Sequence, residues 1–226
     1  MSEADLQGQL LETLREAAVR EQPLYDRIDE QGPVAAGWTM KDHVAHLAAW
    51  RREACELLEA VQRGESGRDF SDVDGYNSEL HERHRDWDAD RVRAEAGESY
   101  TAFLAAVESC PAGILAGQRP GSEGPVVAWV LGNGHEHVAE HLTMLALEAG
   151  DAATADEVQK WAHAASAAIP GNRARADYNF GCYYARNGRA DEALPLLRRA
   201  IDADGSLREW AKSDPDLESV RDLVAT

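Results

Sequence analysis

Through nearly every long stretch of the chain, apolar residues recur at steps of three and four, the period of an amphipathic helix rather than of a strand. The one short apolar run that reads as a strand, Val126-Val127-Ala128-Trp129-Val130, continues into a helical stripe. Four long helices are expected. The first runs from about Glu3 to Glu30 with Leu6, Leu10, Leu14 and Val19 on one side, and Gln31-Gly32-Pro33 ends it. The second begins at Thr39, whose hydroxyl stands three residues before Asp42 as in a capping box, with Trp38 bracing the entry. Its inward stripe is Leu47, Trp50, Ala54, Leu57 and Val61. A polar crossover from Gly64 to Gly75 leads to a short helix near Asn77 to Asp86. The third long helix covers about Asp88 to Ser109, carrying Val92, Tyr100, Phe103, Leu104 and Val107, and Pro111 closes it. The fourth runs from about Pro125 to Glu148 and stops at Gly150. This is the pattern of an all-α four-helix bundle over residues 1–150.

Charge narrows the function. The 226 residues carry 23 basic and 41 acidic side chains, a formal net charge of −18. Such a surface repels phosphate backbones, and Arg51-Arg52 and Arg198-Arg199 sit among acids, so no nucleic-acid partner is expected. Cys55, Cys110 and Cys182 are far apart, odd in number and without CxxC spacing, as for free thiols in a reducing compartment. The N-terminus is acidic, with no secretory pattern, and no stretch is apolar enough for a membrane span. A cytoplasmic protein with a small-molecule substrate and no membrane partner is the expectation.

The fourth helix carries the chemistry. Val127, Val130, Gly134, His137, His141 and Met144 step by three and four, a seam facing the core, so two histidines lie one turn apart on the buried side. On a continuous helix His135 would point elsewhere. Helix two offers His43 and His46 beside its own stripe. An i,i+4 histidine pair presents two imidazoles to one point, and a third from a helix ~8–10 Å away can complete a set with open positions, the arrangement of a catalytic metal. Nitrogen ligands suit Zn, Ni, Fe or Cu. The alternative is a pair of separately satisfied core histidines, since eight histidines make an HxxxH spacing common. The zincin motif is absent: His135-Glu136 would need a histidine where Ala139 stands.

Two segments extend this reading. Gly37-Trp38-Thr39-Met40-Lys41-Asp42-His43-Val44-Ala45-His46-Leu47-Ala48-Ala49-Trp50 resembles the GWTxKDxxAHLAxW segment of the DinB-like superfamily, which includes mycothiol- and bacillithiol-dependent transferases and the ClbS/DfsB proteins. Tyr76-Asn77 and Gly132-Asn133-Gly134-His135-Glu136-His137-Val138-Ala139-Glu140-His141-Leu142 are similar to the ClbS/DfsB branch. The resemblance spans about residues 3–149. It implies a divalent metal (Zn, Ni or Fe) held by His46, His137 and His141. It also implies a low-molecular-weight thiol such as mycothiol as co-substrate, and thiol transfer or hydrolysis of an electrophile. Sequestration of the small molecule without turnover is the alternative. Glu140 and Asp42 flank the ligands as candidate bases or histidine-orienting acceptors, and Trp50 and Asn77 are candidate pocket residues. A homodimer is an option that the family also offers.

Residues 151–226 differ in composition. After an Ala-rich segment to Ile169, Ala176 to Ala185 and Asp191 to Ala200 flank a turn at Asn187-Gly188-Arg189 and resemble one tetratricopeptide hairpin. Gly181, Tyr184, Ala193, Leu197 and Ala200 fall at the repeat's spacings, with Gly205 replacing its usual proline. One such TPR-like hairpin is too short for a peptide groove, and a helical appendage that packs on the bundle or on a second subunit is expected.

Overall fold

A helix buries whichever side its apolar stripe covers, and two stripes here include a charged residue. The computed structural model describes residues 3–68, 70–121 and 124–224. Helix α1 (Glu3–Asp26) buries Leu6, Leu10, Leu14, Ala17, Glu21 and Leu24, and Ile28 just beyond it. These steps of three and four run through Glu21 and leave Val19, expected on the inner side, 73% exposed. The helix also stops short of Glu30, with Pro23 exposed in its last turn.

Helix α2 (Met40–Gln62) starts as its sequence dictates. The Thr39 hydroxyl accepts from the Asp42 N–H at 3.2 Å and the Asp42 carboxylate accepts from the Thr39 N–H at 2.9 Å, a reciprocal cap. Caps of this kind stabilise a helix by ~1 kcal/mol. Helix α3 (Val73–His84) begins earlier than expected because Asp72 caps it, its carboxylate accepting from the Gly75 N–H at 2.9 Å. Helix α4 (Ala89–Ser109) is capped by Asp88 and lies along α2, while α1 packs on α4. A single turn, α5 (Ala112–Leu115), follows Pro111.

The fourth long helix is not continuous. Helix α6 (Val126–Leu131) passes into a π-type turn over Gly132–Glu136, broken at Gly134, before α7 (His137–Glu148) resumes the α pitch. The break is a point of close approach: a Cβ on Gly134 would lie 2.2 Å from Leu14 Cδ2 and 3.3 Å from Phe103 Cε1. The backbone can press against α1 and α4 only because no side chain stands there. One consequence is that His135, expected to face away, is fully buried.

The bundle core is crossed by one ion pair. Arg51 on α2 and Glu21 on α1 are both fully buried. The guanidinium donates from Nη1 to Glu21 Oε2 at 2.8 Å, from Nη2 to Oε1 at 3.2 Å, and from Nε to Ser99 Oγ on α4 at 3.0 Å. Its carbon lies 4.0 Å from the centroid of the Tyr100 ring, and Tyr25 donates to Glu21 Oε1 at 3.0 Å. Three helices are thereby fixed around one charge pair.

The chain divides into two compact units, Met1–Ala155 and Asp156–Thr226, the division falling in the first turn of α8 (Ala152–Ala168). In the second unit α9 (Arg173–Arg186) and α10 (Ala190–Ala203) form a tight pair, in which a Cβ on Gly181 would meet Leu197 Cγ at 2.7 Å. Asp177 accepts from His163 Nε2 at 2.6 Å, Arg173 Nε at 3.2 Å and Arg199 Nε at 3.3 Å. Tyr178 and Trp210 both donate to Asp214, which ties α9 to α11 (Leu207–Ala211), and α12 (Arg221–Val224) closes the unit. Among the described residues no strand is present and no helix is long and apolar enough to cross a membrane.

Two outcomes follow for stability. Glu21→Gln leaves a buried guanidinium without its counter-charge and is expected to cost about 3–5 kcal/mol in urea unfolding, whereas the double replacement E21L/R51M costs less than E21Q alone. Gly134→Ala forces a methyl into Leu14 and is expected to cost about 1–3 kcal/mol by the same measurement.

Candidate metal centre

Two helices and one tight turn build the site. His43 and His46 project from the first two turns of α2, and His137 and His141 from the first turns of α7. Before α2, Ala36 (φ 51°) and Gly37 (φ 79°) take left-handed conformations at the tip of a turn closed by Trp38 N–H to Ala35 C=O at 2.8 Å. Gly37 tolerates this freely, whereas Ala36 costs roughly 1 kcal/mol or more. The turn lays the Trp38 ring over the histidines, with centroid distances of 4.9 Å to His46, 5.5 Å to His43 and 6.4 Å to His141.

Three ring nitrogens converge. His46 Nε2 lies 3.1 Å from His137 Nε2, and His141 Nε2 lies 3.3 Å from the same atom. Nitrogens bound to one zinc at ~2.0–2.1 Å in tetrahedral geometry stand ~3.3 Å apart, so the spacing is that of ligands around a common ion. His46 and His141 are buried and His137 is half-buried, so one side of the group remains accessible. His46, His137 and His141 can bind a divalent metal.

Protonation favours ligation. Burial lowers the pKa of His46 to about 2, with the neighbouring His137, His43 and His84 adding to the effect. Burial lowers His137 to about 3, helped by the Arg51 guanidinium, and drives His141 well below its ordinary value. His43 is lowered as well, again chiefly by burial. The imidazoles are therefore neutral near pH 7, the form that binds metal.

The other candidates are placed unevenly. Trp50 donates through Nε1 to Asn77 Oδ1 at 3.0 Å, so the two proposed pocket residues hold each other. The Trp50 ring lies 6.3 Å from His46 and 6.2 Å from His137 by centroid, and continues into a cluster with Phe70, Tyr76 and Trp129. Arg119 stacks over Trp129 at 4.9 Å, and Trp129 Nε1 is buried without a hydrogen-bond partner. Asp42 is occupied: one oxygen serves the α2 cap, and the other lies 3.6 Å from His81 Nε2. Glu140, half-buried on α7, does not join the three-histidine group. A small pocket beside His46 is lined by Trp38, Asp42, His81 and His84. The sequence offers His43 beside His46 without a role, and Arg51 reads there as one of the scattered charges. Each charged or polar residue in phase with a core stripe was the available signal.

A helical bundle with an internal cluster of three imidazoles and one accessible side defines the class. The chain belongs to the DinB superfamily, whose family model matches residues 4–145. No curated protein and no solved structure matches it.

Acid should unfold the protein early. Unfolded histidine binds a proton near pH 6.5, while these folded histidines do not until far lower. The unfolded state thus binds more protons throughout that interval, and stability falls as pH drops below about 6.5. Melting temperatures at pH 7, 6 and 5 are expected to decline steadily, before the carboxylates titrate.

Proposed function

We propose that this protein is a metal-dependent enzyme that activates a thiol or a water molecule to attack an electrophilic small molecule, as a low-molecular-weight-thiol S-transferase or a detoxifying hydrolase. The observation that carries the reading is the convergence of His46, His137 and His141 Nε2 on one point with His137 still accessible. These three residues would hold the ion. A divalent cation there supplies Lewis acidity and lowers the proton affinity of a thiol or water at neutral pH.

The remaining work belongs to the chain itself. The half-buried Trp38 ring lies against the His46 and His43 imidazoles and walls the pocket beside His46. The buried Arg51 opposes protonation of His137. Trp50, buried and fixed by Asn77, backs the half-buried Trp129, whose flat apolar face can receive an unsaturated or aromatic electrophile. Asp42 can influence a proton only through His81, since its cap contact engages the other oxygen. Glu140, the other candidate carboxylate, stands on α7 between His137 and His141 in sequence. Tyr76-Asn77 and the Gly132–Leu142 segment favour a ClbS/DfsB-type assignment, and mycothiol is the thiol that this kinship suggests. Three free cysteines, Cys55, Cys110 and Cys182, suit a reducing cytoplasm.

The test begins with metal content. Protein purified without added metal and then dialysed against Zn, Ni or Fe(II) should retain one equivalent, and His137→Ala should lose both the metal and any turnover. Unchanged metal content in that variant sinks the assignment. Loaded protein incubated with low-molecular-weight thiols and a panel of electrophiles is then read by mass spectrometry. A mass increase of one thiol marks transfer, a gain of water marks hydrolysis, and stoichiometric retention of unaltered compound marks sequestration.

A further inference from the structure

His43 serves neither as a ligand nor as a pocket wall. His43 is fully buried. Its Nδ1 lies 2.8 Å from His141 Nδ1, and its Nε2 lies 3.3 Å from the Ala35 carbonyl oxygen. A backbone carbonyl can only accept, so His43 Nε2 must carry a hydrogen. Burial outweighs the pull of the neighbouring Asp42 carboxylate and keeps the ring neutral, which leaves His43 Nδ1 bare. A bare Nδ1 facing another Nδ1 at 2.8 Å requires the hydrogen to sit on His141. His141 is then the Nδ1–H tautomer, and its Nε2 lone pair points at the atoms of His46 and His137.

We propose that His43 is the positioning residue of the metal centre: through the chain Ala35 C=O, His43, His141 it fixes the tautomer and ring orientation in which His141 Nε2 is a ligand. The inference rests on the metal reading above. His43 acts through His141 and touches neither ion nor substrate. The relay begins at a rigid point, because the Ala35 carbonyl also closes the Ala36-Gly37 turn by accepting the Trp38 N–H. His46 lacks an equivalent partner. Its Nδ1 is buried with no hydrogen bond, so nothing of this kind selects its tautomer. The centre is therefore asymmetric, with His141 the pre-set ligand.

Orienting partners of ligating histidines are worth about 10–100-fold in metal affinity. Co(II) titrated into the full-length protein, followed by its visible spectrum with competing chelator, should bind about 10–100-fold more weakly to His43→Leu than to the parent. His43→Asn places an acceptor oxygen where Nδ1 stood and should recover most of that loss, a rescue that a packing role would not give. Co(II) binding by H43L as tight as by the parent overturns the proposal. Side-chain nitrogen NMR of the metal-free parent gives a second reading that needs no substitution to fold. His141 is expected as Nδ1–H and His43 as Nε2–H, and the reverse tautomers overturn the relay. The two failures are distinguishable: a parent that takes up no Co(II) removes the metal reading itself, whereas a parent that binds with an indifferent H43L removes only the role of His43.

Discussion

The bundle depends on a buried charge pair that its helices must satisfy together. Arg51 and Glu21 stand in phase with the core stripes of α2 and α1, at positions where apolar residues would normally lie. Desolvating both ions costs several kcal/mol each, and the attraction offsets it only when geometry is good and the remaining donors are used. Here the contact is two-pronged, Ser99 takes the Nε hydrogen, and the Tyr100 ring lies against the guanidinium. A hydrophobic pair of similar volume would hold the helices as well. What the ion pair adds is direction, because a planar fork accepts its partners from few angles. It fixes α2 about a turn and a half beyond His46, and its positive charge bears on His137. The same constraint that sets the helix register therefore adds to the burial that keeps the His137 imidazole neutral.

The second constraint is the broken helix. An uninterrupted α-helix from Val126 to Glu148 would keep His137 and His141 on one side and turn His135 away. The wide turn at Gly132–Glu136 adds backbone without advancing the helix at its usual pitch, so the residues after it are re-aimed relative to those before. His137 becomes the first residue of α7 rather than the middle of a long helix. The price is a glycine at 134, where α1 and α4 leave no room for a side chain. Such interruptions tend to occur at functional sites, and this one lies directly before two of the three clustered histidines.

How much of this could be read from the residues varies with the range of the interaction. The cap at Thr39 and Asp42 is local, and the structure forms it as the spacing predicts. The all-α class follows from a period repeated over the whole chain. The cluster of three histidines needed the resemblance as well as the spacing, because an HxxxH pair alone cannot name its third partner. The buried ion pair was missed for a different reason. Each member looks like a surface charge when its helix is read alone, and only the in-phase placement of opposite charges on two stripes reveals it. Val19 was misassigned by the same error, since the stripe passes through Glu21 instead. The fourth helix was drawn unbroken because close approach of Gly134 to Leu14 is a tertiary fact.

The segment before α2 shows how the local and distant readings join. Gly37, Trp38 and Thr39 look in sequence like three separate signals: a flexible residue, a large apolar one and a cap. In the structure they are one device. Gly37 permits the left-handed turn, the turn brings Trp38 over the imidazoles, and Thr39 starts the helix that carries His43 and His46. The turn also holds the Ala35 carbonyl against His43. A backbone oxygen cannot change its protonation or rotate away from its own chain. Anchoring the hydrogen-bond chain on such an atom leaves His43 one neutral arrangement and gives His141 no choice of tautomer.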